Sequence, residues 1–537
     1  MSLSSLRYAI ALLSLWLAIA AILLLPGNFW LKGHEVDFIH ALDIASRINL
    51  GEWPHIDYQT PLGLFTHLPL ALFLDMGYGP GRSFMLSQIL VTALLLPGIW
   101  WVGASRLSAG LRLVYGMGMV LLGLALVHGG TEPMLASSMN YNRWGWILAS
   151  FVVLVLMLPA RPGWRAPVVD GVLVGAAGAT LLMLKMTYFV ALLPFVLAAL
   201  LVDRPGRLFL AAVAGFAAVM APVVVGLGPG FLLAYADDLV QVATQAKRAY
   251  PGRELGDLLA SPATLPITAL LLTTIVFWRR IGMYREGLLL FVLAPGLIYI
   301  TYQNWGNDPQ WLFVLGILLL ALLPGPDRKP FYGQPPRGVA AVLAVLSFVW
   351  LLPSMTNVAF SPLRHLLQEP EDFLPIFNDL AKGDVKMHRD VLDTPLKRIE
   401  FSNYPFETDS EYAKQRRTAE FNGEHLSYCG LELGFMAWTR WMVEQMGAIE
   451  EAVGRRVLVA DNYDHLWLFG PFERLPHMAP WYYDADEGFE EAEYVMVPFC
   501  PVSDIAWERK LELIAEKGWV LEEVIRTELF ILARRAG

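Results

Sequence analysis

The sequence predicts a polytopic α-helical membrane protein with a C-terminal soluble mixed α/β domain. Three observations predict it. Apolar residues make up 56% of the 537-residue chain and charged residues only 17%, against about 25% charge in an ordinary soluble domain. The apolar residues gather in runs long enough to cross about 30 Å of hydrocarbon. Charge then rises sharply after Pro362. The same composition excludes a disordered chain, collagen and a small disulfide-rich scaffold. Forty Lys and Arg against 49 Asp and Glu give a formal net charge of -9. With no basic face evident, nucleic acid is not expected as a partner.

The first span is 8–25, read as a retained helix because no small-residue cleavage site follows it. Ten more runs lie at about 82–103, 113–129, 144–160, 167–184, 186–202, 208–228, 262–278, 286–303, 309–324 and 338–353. Residues 62–74, LGLFTHLPLALFL, are short for a span and contain Pro69. Reading them as a surface-lying or re-entrant helix puts five pairs of cations at one end of the bundle: Arg106 with Arg112, Arg161 with Arg165, Arg204 with Arg207, Arg279 with Arg280, and Arg328 with Lys329. By the positive-inside rule that end is cytoplasmic. The outer side then carries the first loop 26–80, the turn 128–143, the loop 229–261, the turn Asn304–Asp308 and the C-terminal domain. The division is a transmembrane domain over 1–353 and an extracytoplasmic domain over 354–537.

In the C-terminal domain, residues 433–452 show helical spacing. Val457–Ala460 and Tyr494–Val497 read as short strands. A helix over 505–517 follows Asp504 as cap, and 519–525 and 528–534 read as adjacent strands. The order fits a small α/β or α+β unit. No Gly-rich phosphate loop follows a strand. The aromatic residues Trp467, Phe469, Phe472, Trp481, Tyr482 and Tyr483 suit sugar stacking, a bilayer interface or a core. Cys429 and Cys500 are a disulfide or two free or buried thiols.

Four polar clusters fall at the outer ends of the spans. The first, KGHEVDFIHALDIASRINLGEWPHIDYQTPLG, offers His34, Glu35, Asp37, His40, Asp43, His55 and Asp57. Carboxylates at the mouth of a membrane cavity serve as a general base or hold a cation; a wet loop also keeps charges without a task. His34, Asp37 and His40 are spaced three apart and can share a helix face. No HExxH-type motif accompanies them, so a divalent cation is a candidate partner only. The second cluster holds His128, Glu132, Asn140, Tyr141, Asn142 and Arg143. The Arg143 guanidinium can snorkel or grip a phosphate in its fork. Third, Lys185 interrupts LLMLKMTYF, marking either a turn or an ammonium for an anionic headgroup. Fourth, YQNWGNDPQ offers Gln303, Asn304 and Asp308, for sugar hydroxyls or for capping.

The early acid Asp37 in the first outer loop, the GEWPHIDYQTPLG stretch (51–63) and the alternating short cytoplasmic turns resemble the GT-C class of integral membrane glycosyltransferases. MNYNRWGW and LKMTYF look like turns of bacterial members. The resemblance covers about residues 8–353 and leaves the subfamily unassigned. It implies a polyprenyl-phosphate sugar donor, chemistry outside the cytoplasm of a bacterial inner membrane, and Asp37 as general base. Some members carry two adjacent acids here. This chain has Glu35 and Asp37 about Val36, which leaves the choice between them open. Asp57 is the second candidate. Lys185, Arg143 and, more weakly, Arg82 would bind the donor phosphate. His34, His55, Glu132, Asn140, Tyr141 and Asn304 would line the sugar or acceptor site.

The expected function is therefore inverting transfer of a sugar from a polyprenyl-phosphate carrier to a periplasmic glycan or glycolipid. The rivals are a transporter or flippase for a lipid-linked substrate, which often shows two similar halves, and a non-catalytic scaffold. No internal repeat is evident in the sequence.

Overall fold

The computed structural model describes residues 3–203, 206–244, 256, 260, 263–303, 308–377, 379, 382–394, 397–400, 418–427 and 429–536. Helices occupy all eleven places where spans are expected. They are α1 (Leu3–Leu24), α4 (Pro80–Arg106), α5 (Ala109–Gly123), α6 (Asn140–Met157), α7 (Pro167–Leu184), α8 (Met186–Asp203), α9 (Gly206–Leu227), α11 (Thr264–Arg280), α12 (Tyr284–Tyr302), α13 (Trp311–Ala321) and α14 (Pro336–Leu366). Among the described residues, seven of these are long and apolar enough to cross a membrane by themselves: α1, α4, α7, α8, α9, α12 and α14. Helices α5 and α13 are shorter and apolar.

Between the spans lie β1 (Phe29–Leu31), α2 (Glu35–Asn49), α3 (Leu68–Asp75) and α10 (Gly230–Thr244). Helix α3 has eight residues, about 12 Å of rise, and cannot span a bilayer. The expected loop 229–261 begins instead as α10, and most of its second half lies outside the described residues. Helix α14 runs past the expected boundary at 353 to Leu366. At 31 residues it is about 46 Å long, more than the about 30 Å of a hydrocarbon core.

Helices α7 and α9 approach one another closely at their glycines. A Cβ on Gly175 would fall on the Ala212 carbonyl, and one on Gly215 would meet Val172 backbone. Small residues allow this approach where no hydrophobic effect drives helices together.

One end of the bundle collects the basic turns. Arg112 donates to the Ser4 carbonyl (2.9 Å), and Arg161 to that of Leu107 (3.1 Å). Arg106 pairs with Asp170 at 2.7 Å. Arg285 joins Asp203 and the carbonyl of Leu156, and Arg328 donates to Gly282. The cations expected to share a side do so wherever they are described; Arg204 lies outside the described residues.

The C-terminal domain is built on a mixed sheet. Strands β4 (Val457–Val459) and β5 (Tyr494–Pro498) run parallel, and β6 (Leu521–Arg526) and β7 (Phe530–Arg535) complete the order β6-β7-β5-β4. Two helices pack beside it, α15 (Phe435–Gly447) and α16 (Asp504–Glu516). The cap of α16 is Ser503, whose hydroxyl accepts from the Ala506 N–H, rather than Asp504. Asp504 sits in the first turn, where its charge still complements the helix dipole. Cys429 and Cys500 form a disulfide.

The domain is welded to the outer end of the bundle. Strand β3 (Val385–His388) pairs with β1 in parallel and with β2 (Phe373–Pro375) antiparallel. The Asp384 carboxylate accepts the backbone N–H groups of Gly81 (3.1 Å) and Arg82 (2.8 Å), capping α4 from a distant part of the chain. One apolar core runs from the spans into the domain, and a second covers the far face of the sheet.

Candidate active site

Helix α2 follows His34, a cap residue whose backbone is left-handed (φ 56°). Its first turn carries Glu35 and Asp37, both suited to a helix N-terminus. Two residues correspond to about 200° around a helix, so the two acids diverge. Asp37 enters a large outer cavity and Glu35 does not. Burial pushes both carboxyls above their ordinary values; at Asp37, Ser138 and His34 oppose the shift. His40, one turn on, also lines the cavity, and burial lowers its pKa to about 3. The imidazole is therefore neutral near pH 7.

The second wall comes from the turn before α6. Met139 has a left-handed backbone (φ 60°) and, with Ser138, Asn140 and Tyr141, lines the cavity. Arg143 does not. Its buried guanidinium donates to the carbonyls of Val127 (2.5 Å), Ser138 (3.1 Å) and Ala125 (3.0 Å). The fork expected for a phosphate is spent on backbone, and it shapes the 125–138 loop.

The third wall is the junction of α7 and α8. Lys185 has extended backbone (φ -158°, ψ 109°) and breaks one helix from the next. Its buried ammonium donates to Asn142 Oδ1 at 3.2 Å and lies over the Tyr141 ring at 5.4 Å. The junction is held by the 60–66 segment. The Gly63 N–H and the Thr66 hydroxyl both donate to the Leu184 carbonyl, at 3.2 and 2.8 Å. A Cβ at Gly63 would sit 2.1 Å from the Met183 carbonyl oxygen, so only glycine fits.

The C-terminal domain supplies the fourth wall through Asn462, Trp481, Tyr482 and Tyr483. Trp481 stacks on His40 with ring centroids 4.2 Å apart. The cavity these walls enclose has a volume of about 940 Å³. Among its described lining residues, Asp37 is the one carboxylate and Lys185 the one ammonium. Its lining extends to Val190, Tyr299 and Ala243 on three helices, α8, α12 and α10, and all three residues are exposed.

The remaining candidates lie elsewhere. Asp57 accepts the Trp53 N–H at 2.7 Å and faces His477 at 3.6 Å. His55 bonds Asp238 of α10 at 2.7 Å. Arg82 is exposed at the start of α4 with its side chain near Tyr78. Glu132 is exposed, and its carbonyl accepts from the Asn357 side chain and the Met134 N–H, both at 2.8 Å. None of these four lines the cavity. Asn304 lies outside the described residues, while Gln303 beside it does line the cavity. Asp308 serves a structural end, accepting the Gly130 N–H at 2.8 Å and bonding Ser354. Sequence reasoning passed over His67, Ser138 and Asn462. His67 stood out only as a polar interruption in an apolar run; Ser138 and Asn462 carried no local signal.

A metal-type cluster forms at the same place, though not with the residues expected. Ligand atoms of His34, Asp37 and His128 all lie within 4.8 Å of one another. The rings of His34 and His128 stack at 3.7 Å. His40 turns instead to Trp481 and His67. Two imidazoles and a carboxylate suit Zn²⁺ or a similar transition ion better than Mg²⁺. The donor set fits such an ion, whose chemistry would be to fix Asp37 and polarise an oxygen bound to it.

No family model matches the chain, and no curated protein does. Two solved structures are similar to it, both of ArnT from Cupriavidus metallidurans, one bound to undecaprenyl phosphate and one in the apo state. Each is 13% identical and covers 98% of this chain and 97% of its own, with TM-scores of 0.44 and 0.41. At these scores the likeness carries no argument about the chemistry.

Proposed function

We propose that this protein is an inverting glycosyltransferase, moving a sugar from a polyprenyl-phosphate carrier to an extracytoplasmic glycan or glycolipid. The observation that carries the reading is that Asp37 and Lys185 are, among the described residues, the carboxylate and the ammonium of one cavity whose lining extends to exposed residues of α8 and α12, two helices long and apolar enough to cross a membrane. A lipid-linked phosphate fits such a space: the chain leaves between helices, the phosphate meets the ammonium, and the sugar lies toward Asp37.

In the proposed reaction an acceptor hydroxyl oxygen attacks the anomeric carbon. The bond from that carbon to the phosphate oxygen breaks, and its electron pair leaves with the polyprenyl phosphate. Asp37 takes the hydroxyl proton. A positioned base of this kind contributes about 10²- to 10⁴-fold in rate. Lys185 balances the charge that develops on the leaving phosphate, and a low-dielectric site strengthens that effect. His34, Asn140 and Tyr141 line the same space and suit hydroxyl recognition. Glu35, Asp57, Arg82, His55 and Glu132 then act outside the reacting atoms, and Arg143 acts through the loop it holds.

The test is turnover in nanodiscs. Purified protein is given polyprenyl-phosphate sugars extracted from membranes, and release of polyprenyl phosphate is followed with a membrane glycan extract as acceptor. The wild-type chain should release carrier, and Asp37→Asn should lose at least 10²-fold with an unchanged unfolding temperature. Equal release by the two proteins would remove Asp37 from the mechanism.

A further inference from the structure

We propose that the C-terminal domain sets the rotational register of α2, and so the position of Asp37, with Arg47 as the positioning residue. This deepens the glycosyltransferase reading and rests on it for its kinetic test only.

Asp37, His40, Asp43 and Arg47 follow one another at steps of three and four, so they share a face of α2. The last three each meet the C-terminal domain. His40 stacks on Trp481. Asp43 Oδ2 accepts the Trp467 indole N–H at 3.0 Å. Arg47 donates to the Leu475 carbonyl at 2.9 Å, to Asp43 Oδ1 at 2.5 Å and to Glu52 at 3.2 Å. Glu52 in turn pairs with Arg474 and accepts the His477 N–H at 3.3 Å. Arg47 is 0% exposed and Asp43 1%. Buried Asp464 of the C-terminal domain also acts on Arg47, and buried Lys510 acts on Asp464, so three cations face three acids.

A buried network of this kind adds little net stability over an apolar filling. What it does add is intolerance of any other arrangement, because a displaced member leaves a desolvated charge unpaired. Rotating α2 by one residue, about 100°, would break every contact in the stripe at once. It would also carry Asp37 out of the cavity, since Val36 and Phe38, one position to either side, already lie outside its lining. The network's far end therefore fixes where the carboxylate stands. A misplacement near 1 Å at a reacting group can cost about 10²-fold.

The experiment uses the full chain in nanodiscs and two variants. Arg47→Lys keeps the charge but loses the planar fork. Trp467→Phe keeps the ring and removes only the donor to Asp43. Hydrogen exchange is measured over residues 33–42, alongside release of carrier from extracted polyprenyl-phosphate sugars. Arg47→Lys should speed exchange in that segment about 10-fold and lower kcat about 10- to 100-fold, with donor KM within about twofold of wild type. Trp467→Phe should move both in the same direction by less, and decides the matter alone if Arg47→Lys fails to fold. Wild-type exchange and kcat in both variants would overturn the proposal, as would a loss expressed only in donor KM. If the wild-type chain releases no carrier, the transferase reading fails while the exchange measurement still decides the positioning claim.

Discussion

The Lys185 ammonium donates to Asn142 Oδ1 at 3.2 Å, joining the α7–α8 junction to the first turn of α6. The Tyr188 hydroxyl donates to the Asn142 carbonyl at 3.0 Å and braces the same residue. Lys185 is thus oriented before any anion arrives. Lys185→Ala should weaken binding of a polyprenyl phosphate by about 10-fold or more, the range of a lost charge-assisted hydrogen bond. Asn142→Ala should produce a smaller loss in the same assay. Equal binding by Lys185→Ala and wild type would remove the ammonium from the phosphate site.

Asp37 must be ionised to act as a base. Burial raises its pKa above the ordinary aspartate value of 3.8. Activity should therefore rise with pH along a limb displaced above that value, and the plateau should lie on the alkaline side. A profile of kcat/KM against pH between 4 and 8 locates it. A limb at the ordinary aspartate value would mean that the reacting group is not this buried carboxyl.

The close approach at Gly63 gives a prediction with a steric cause. Gly63→Ala places a methyl against the Met183 carbonyl, and one of the two segments must shift. Overpacking of this kind costs about 1–3 kcal/mol. The unfolding temperature should drop, and affinity for polyprenyl phosphate should fall with it because Lys185 lies two residues beyond the contact. Retained affinity would separate the loop from the phosphate site.

The cluster of His34, Asp37 and His128 predicts a response to transition metals. Zn²⁺ added to the chelator-treated protein should bind with about one equivalent and raise the unfolding temperature. His128→Ala should abolish that rise and leave the fold intact. An identical rise in His128→Ala would place the binding elsewhere.

Buried histidines predict an acid limit to stability. Burial lowers His465 from 6.5 to about 4 and His40 to about 3. The unfolded chain therefore takes up protons as pH falls below 6.5 while the folded chain does not. Stability is fully present above 6.5 and declines as pH falls toward 4. His465 alone accounts for as much as about 3 kcal/mol of that decline. Its ring is 3.0 Å from the Thr439 hydroxyl, a bond that His465→Gln can keep. Unfolding temperatures at pH 7 and pH 5 should differ less in His465→Gln than in wild type.

Much of the fold was legible from local pattern. Apolar runs of span length gave helices at every expected place, and the basic turns gave their common end. The two late strands and the helix before them followed from alternation and helical spacing. The site was legible only in its residue types. Asp37 and Lys185 stood out because each is a charge beside apolar sequence. Arg143 stood out for the same reason, yet its partners are carbonyls of a loop that folds back over it. Glu35 and Asp37 could not be ranked, since the rank depends on which side of α2 faces the cavity.

The amino-acid sequence alone determined the class of the protein, because transfer of apolar runs into lipid and the siting of cations are nearest-neighbour energetics. It also determined which chemical groups were at hand. Only the tertiary structure decided that a carboxylate from the first loop and an ammonium from a helix break share one hollow, and that the C-terminal domain closes it. Those contacts join segments remote in the chain, through carbonyls, carboxylates and rings whose partners are fixed by packing rather than by spacing.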